Sequence, residues 1–239
     1  MFVGHYAAAL AAKGADPRAP LWTYVIAAQL VDVGWSGLIM AGVEKVSFDP
    51  HLPGSALVLD YMPFTHSLPA ALVWSLAGAM AVRWVLKLPW ATSALVGLVV
   101  FSHWLGDLMV HRPDLELWFG GQKVGMALWN YPLPEQALEM GLMALGAAWW
   151  GWRRGRLGQS IWPTLAFVTF LLVLQIVGMV LPVSTDGFGF ARTALLAYLS
   201  AGALAAVVER GQAKAQRKVM ACPDPDQGHS ETKAATTVT

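Results

Sequence analysis

The sequence has a single cysteine, Cys222, among its 239 residues. One thiol excludes an internal disulfide and any zinc site built on cysteines. Charge is scarce as well. Asp, Glu, Lys and Arg make up 13% of the chain, about half the share usual in soluble domains. The net charge is +1, and without a basic excess nucleic acid is not an expected partner. No P-loop or dinucleotide fingerprint surrounds Gly120-Gly121. No basic stretch precedes the first apolar run, so no cleaved signal peptide is expected. What the chain has in quantity is apolar residues, 56% of the total. With so little charge, that composition describes an integral membrane protein rather than a soluble core.

The apolar residues come in runs. The first, over residues 1–13, is too short to cross a bilayer and reads as a half-helix or re-entrant piece. Six runs long enough to span follow, at about 21–43, 64–86, 90–110, 135–152, 161–181 and 190–208. The expected fold is therefore all-α: a polytopic membrane helix bundle of about six spans plus a short N-terminal half-helix, covering 1–210. The polar residues of 211–239 read as a disordered cytoplasmic tail.

Loop charge orients the bundle. Lys13, Arg18, Arg83, Lys87, Arg153, Arg154, Arg156 and Arg210 fall on one side if the spans alternate. Glu44, Asp49, Asp60, Asp114, Glu116 and Asp186 fall on the other. The positive-inside rule then puts both termini in the cytoplasm. Two long outer loops, 44–63 and 111–134, have the length of lids.

The chemistry concentrates in Phe101–Leu115. His103, Asp107 and His111 recur there at four-residue intervals until Pro113 ends the helix. Each interval turns about 40° beyond a full turn and climbs about 6 Å, so the three share one face. His103 and Asp107 can reach one ion together, while His111 would serve a second site or a rim. An Asp near the bilayer centre costs roughly 2.5–3.5 kcal/mol on insertion scales, so intramembrane acids are functional candidates by default. Asp32 lies mid-span in the first long run, His66 opens the second, His5 lies in the half-helix, and Glu139 is near the start of the fourth. Counted by helical rise, His5 lies about 12 Å, Asp32 about 17 Å, and Asp107 and His66 about 26 Å above the cytoplasmic face. That spread exceeds one coordination sphere and requires tilt or two layers of ligands.

His5, Asp32, His66, His103 and Asp107, with His111, form a donor set suited to zinc or another divalent metal, as one or two ions. Glu139 or Asp60 would act as a catalytic base, and Arg112 would hold an anionic substrate. The bland reading of each is an interfacial histidine, a loop acid or a topology-setting arginine. The acids of the spans, however, have no mid-span base to answer them. Three function classes stay open: a metal-dependent hydrolase acting on a lipid or small molecule at the membrane surface, a transporter with an Asp/His proton or cation relay, and an assembly protein whose polar residues pair helices.

Gly4-His5, Asp32, Thr65-His66-Ser67 and Ser102-His103 followed by Asp107 resemble the inner-membrane metal-dependent hydrolases of the LexA-regulated type. The order is also similar to that of the zinc-dependent phospholipase C and nuclease superfamily. The resemblance covers about residues 1–150. It implies a helical metal site with His5, Asp32, His66, His103 and Asp107 as ligands, in a protein of the bacterial inner membrane. Two steps depart from the pattern. The family's Pro-Asp-x-Asp is here Gln29-Leu30-Val31-Asp32-Val33, and its His-Arg-Gly is Tyr61-Met62-Pro63.

Overall fold

The computed structural model describes residues 2–182 and 184–221. A 3-10 turn, Val3–His5, leads into α1 (Tyr6–Ala15). Helices α2 (Leu21–Ala28) and α3 (Leu30–Met40) follow, bent by 53° at Gln29. An antiparallel hairpin, β1 (Lys45–Phe48) with β2 (Leu57–Tyr61), precedes α4 (Leu68–Val85) and α5 (Trp90–Val110). A second small hairpin, β3 (Leu115–Glu116) with β4 (Lys123–Val124), and a 3-10 turn at Leu128–Asn130 lead to α6 (Pro132–Arg156). Helices α7 (Trp162–Val180) and α8 (Gly187–Ala221) complete the bundle.

Proline starts most of these helices, as its fixed φ and missing N–H permit. Pro20 and Pro89 cap α2 and α5, and a proline stands in the first turn of α4, α6 and α7. Ser67 adds a side-chain cap to α4, accepting from the Ala70 N–H at 3.2 Å.

Among the described residues, four helices are long and apolar enough to cross a membrane: α4, α5, α7 and α8. The bent pair α2–α3 makes a fifth if it counts as one span. Six were expected. The missing one is α6, which has the length, but its apolar stretch is diluted by Glu135, Gln136, Glu139 and the arginines at 153, 154 and 156. The tail boundary expected near 211 falls inside α8, which runs on to Ala221; 222–239 lie outside the described residues.

Helix α5 is the central element. Over half of its apolar window is buried inside the protein, against under a third for α4, α7 and α8. Those three leave Leu72, Val73, Leu76, Ile176, Met179 and Leu196 exposed, an apolar exterior fit for lipid. The short α1 is enclosed: Tyr6, Ala9 and Leu10 are fully buried. It packs on α6, where Gly146 lets the Ala7 backbone come close; a Cβ there would sit 2.7 Å from the Ala7 carbonyl oxygen. A second apolar cluster joins Trp35 and Ile39 of α3 to Leu59, Met62 and Leu115, tying the outer hairpins to the bundle.

Candidate metal centre

Four separate segments deliver side chains to one buried point beside α5. His103 and Asp107 come from α5 itself, one helical turn apart, and His111 caps its C-terminus. Asp32 stands in the first turn of α3, directly after the break at Gln29. His66 lies just before α4, with its carbonyl accepting from the Trp104 indole at 3.0 Å. His5 ends the N-terminal 3-10 turn. That turn is tethered by Glu139, whose carboxylate accepts from the Phe2 N–H at 2.9 and 3.0 Å and from the Gly4 N–H at 3.2 Å.

Asp107 is the hub. Its Oδ1 lies 3.1 Å from His5 Nε2 and 3.6 Å from His111 Nε2. Its Oδ2 lies 3.1 Å from His103 Nε2 and 3.7 Å from His66 Nε2. Asp32 Oδ1 closes the group at 3.3 Å from His66 Nε2 and 3.4 Å from His103 Nε2. Both acids and all four histidines are buried. The His5 and His103 rings stack at 3.7 Å between centroids. Two triads, His5–His103–Asp107 and Asp32–His66–His103, each have their ligand atoms within 4.8 Å of one another. Ligands held about 2.0–2.2 Å from a tetrahedral zinc stand roughly 3.3–3.6 Å apart. The separations found here bracket that spacing.

The outward nitrogens say more than the distances. His103 Nδ1 donates to the Ala28 carbonyl at 2.8 Å, and a carbonyl can only accept. The proton of a neutral His103 therefore sits on Nδ1, and Nε2 turns a lone pair toward two carboxylates. His111 repeats the arrangement: its Nδ1 lies 3.1 Å from Asp114 Oδ1, while Nε2 faces Asp107. Acceptors facing acceptors in a buried site call for a cation between them, either a proton on the ring or a metal ion. The donor set, imidazole nitrogen and carboxylate oxygen, suits zinc and its neighbours. The residues thus fit a divalent ion.

The expected spread in depth does not occur. The count by helical rise takes the first run as one straight helix, whereas the bend at Gln29 redirects α3 and carries Asp32 to the level of His66. His111, expected at a rim or second site, comes within reach of Asp107 and packs on Trp129, ring centroids 3.9 Å apart.

Three other candidates lie elsewhere. Glu139 is buried, but its oxygens hold the N-terminal turn. Asp60 is exposed on β2 and accepts from Ser47 Oγ at 3.0 Å. Arg112 bonds Asn130 Oδ1 at 2.9 Å and the carbonyls of Ser55 at 3.0 Å and Pro53 at 2.6 Å, clamping the two outer loops together. Sequence reasoning passed over Asp114 and the Ala28 carbonyl as partners of the site. The three-residue step from His111 to Asp114 was the available signal for the first; nothing in the sequence marks the second.

No protein-family model matches the chain, and neither a curated protein nor a solved structure matches it.

Proposed function

We propose that the chain is a membrane-embedded, metal-dependent hydrolase whose substrate is a lipid or phosphoester, or another small ester met at the membrane surface. The observation that carries this reading is the convergence of four imidazole Nε2 atoms and two carboxylates on one buried point at the loop-covered end of α5. In this reading Asp32, His66, His103, Asp107 and His5 hold one or two zinc ions. When bound, the ion supplies Lewis acidity and brings the pKa of water toward about 7. We assign proton transfer to His111, because Asp114 backs its Nδ1 at 3.1 Å and leaves Nε2 facing inward. This replaces Glu139 and Asp60 in that role, since one is committed to the N-terminal backbone and the other is exposed. The loops engage three of the five Arg112 N–H donors, which leaves two for a substrate anion.

In the same reading α6 is the sixth span, its acids turned to the protein interior. Buried Glu135 and Glu139 support that orientation. The loop charges support both termini in the cytoplasm of a bacterial inner membrane, with the centre near the opposite face.

The test is elemental analysis of the protein purified in lipid nanodiscs, with hydrolysis measured on phospholipid and on soluble phosphodiester and carboxylic-ester probes. Stoichiometric zinc, lost in His66→Ala, together with turnover on one probe class that chelation abolishes, supports the reading. Absence of any transition metal, or a loaded protein inert to every probe while moving the ion across the bilayer, overturns it in favour of the relay reading.

A further inference from the structure

We infer that Glu44 sets which nitrogen of His66 carries the proton, acting through the hydroxyl of Thr65. Glu44 lies beyond the C-terminal end of α3 and is 1% exposed. Its Oε1 accepts from the backbone N–H of Phe64 at 2.9 Å and of Thr65 at 3.0 Å. Its Oε2 accepts from Thr65 Oγ1 at 2.6 Å. Thr65 Oγ1 also lies 2.8 Å from His66 Nδ1. These four contacts fix a direction. A carboxylate has no proton to give, and a hydroxyl has one. The Thr65 proton is therefore spent on Glu44, and Oγ1 offers His66 only a lone pair. Nδ1 must carry the hydrogen, and Nε2 presents its own lone pair toward Asp32 Oδ1 at 3.3 Å and Asp107 Oδ2 at 3.7 Å.

Glu44 is thus a positioning residue that never touches the centre. His103 and His111 have their Nδ1 protons held by groups that only accept. His66 alone has an ambivalent partner, and Glu44 removes the ambivalence. Other second-sphere partners of metal-bound histidines work in the same sense, by fixing tautomer and ring orientation.

Glu44→Gln reverses the chain of donors without changing its shape. The amide oxygen keeps the two backbone N–H groups, and the amide NH2 then donates to Thr65 Oγ1. The hydroxyl turns its proton to His66 Nδ1, and the ring proton moves to Nε2, where it blocks ligation. Thr65→Ser preserves the relay, and Thr65→Val cuts it.

The experiment uses the full chain labelled with 13C,15N-histidine in nanodiscs. The metal-free protein is held at alkaline pH, and the His66 signals are assigned by their loss in His66→Gln. Wild type and Thr65→Ser should show His66 protonated at Nδ1; Glu44→Gln should show it at Nε2. Cobalt(II) titrations should find Glu44→Gln weaker by about ten- to a hundredfold, with Thr65→Ser within a few-fold of wild type. A wild-type ring protonated at Nε2, or an unchanged tautomer in a folded Glu44→Gln protein, overturns the inference. The consequence for affinity rests on His66 being a ligand, but the tautomer does not. A wild type that binds no cobalt fails the metal reading alone, and the labelled spectra still decide this one.

Discussion

Replacing Asp107 by Asn should abolish metal binding and yet leave the empty protein more stable than empty wild type. Asp107 stands within 3.1–3.7 Å of four Nε2 atoms. In the metal-free wild type its buried charge must be met by protons drawn onto those rings. The Asn amide is neutral; its NH2 can donate to the Nε2 atoms of His103 and His66 while its oxygen still accepts from His5 Nε2. Removing a buried charge and supplying a donor is worth about 1–3 kcal/mol. A bound ion at a free concentration about a thousandfold above Kd stabilises the wild type by about 4 kcal/mol. In a chain of this size each kcal/mol moves Tm by about 2–4 °C. Chelation should therefore lower the wild-type Tm by roughly 8–16 °C. Asp107→Asn, indifferent to chelator, should melt roughly 2–12 °C above chelated wild type. Tryptophan-fluorescence melts at one fixed scan rate, with and without EDTA, and elemental analysis of the same samples make the assay. An Asn variant that retains stoichiometric metal, or one that melts below chelated wild type, would refute the acceptor-against-acceptor account of the centre.

Gly146→Val pushes a side chain into the Ala7 backbone and should destabilise by about 1–3 kcal/mol; because α1 carries His5 at its head, metal retention should fall with the melting temperature. Glu139→Ala releases the Phe2 and Gly4 N–H groups and should weaken metal binding measurably in a competition assay, whereas Asp60→Ala, at an exposed site, should leave stability within about 0.5 kcal/mol and metal content unchanged. Asp16, between α1 and α2, has its pKa held well below the usual carboxylate value by hydrogen bonds from Arg18, with Thr92 adding a further one. A lowered folded-state pKa gives stability that is present above the unfolded value of 3.8 and is lost as pH falls below it. Asp16→Asn should therefore flatten the acid limb of a Tm–pH profile below about pH 4, and an unchanged limb would show that this pair contributes nothing.

How far the centre could be read from sequence depends on what each residue's neighbours had to supply. His103 and Asp107 needed only the helical period, because one regular helix carries both, and their meeting follows from the turn between them. Asp32 needed the break at Gln29. The run 21–43 is apolar throughout, so a hydropathy reading makes it one helix. The break is seen only in the backbone, where Gln29 leaves helical geometry at φ −114° and ψ 11° and its side chain donates to the Phe2 carbonyl at 3.3 Å. A straight helix would have held Asp32 well below His66. At α6 the run 135–152 reads as a span, yet α6 is not among the helices apolar enough to cross, because Glu135 and Glu139, buried where they serve the fold, dilute its apolar stretch. Residue type told which groups could ligate, but not how they are charged and oriented, because hydrogen-bond direction is a property of chains of contacts. Thr65 is a donor to Glu44 and an acceptor from His66 at once. Only the distances at both ends show which proton goes where, and so why His66 turns a bare nitrogen to the two acids.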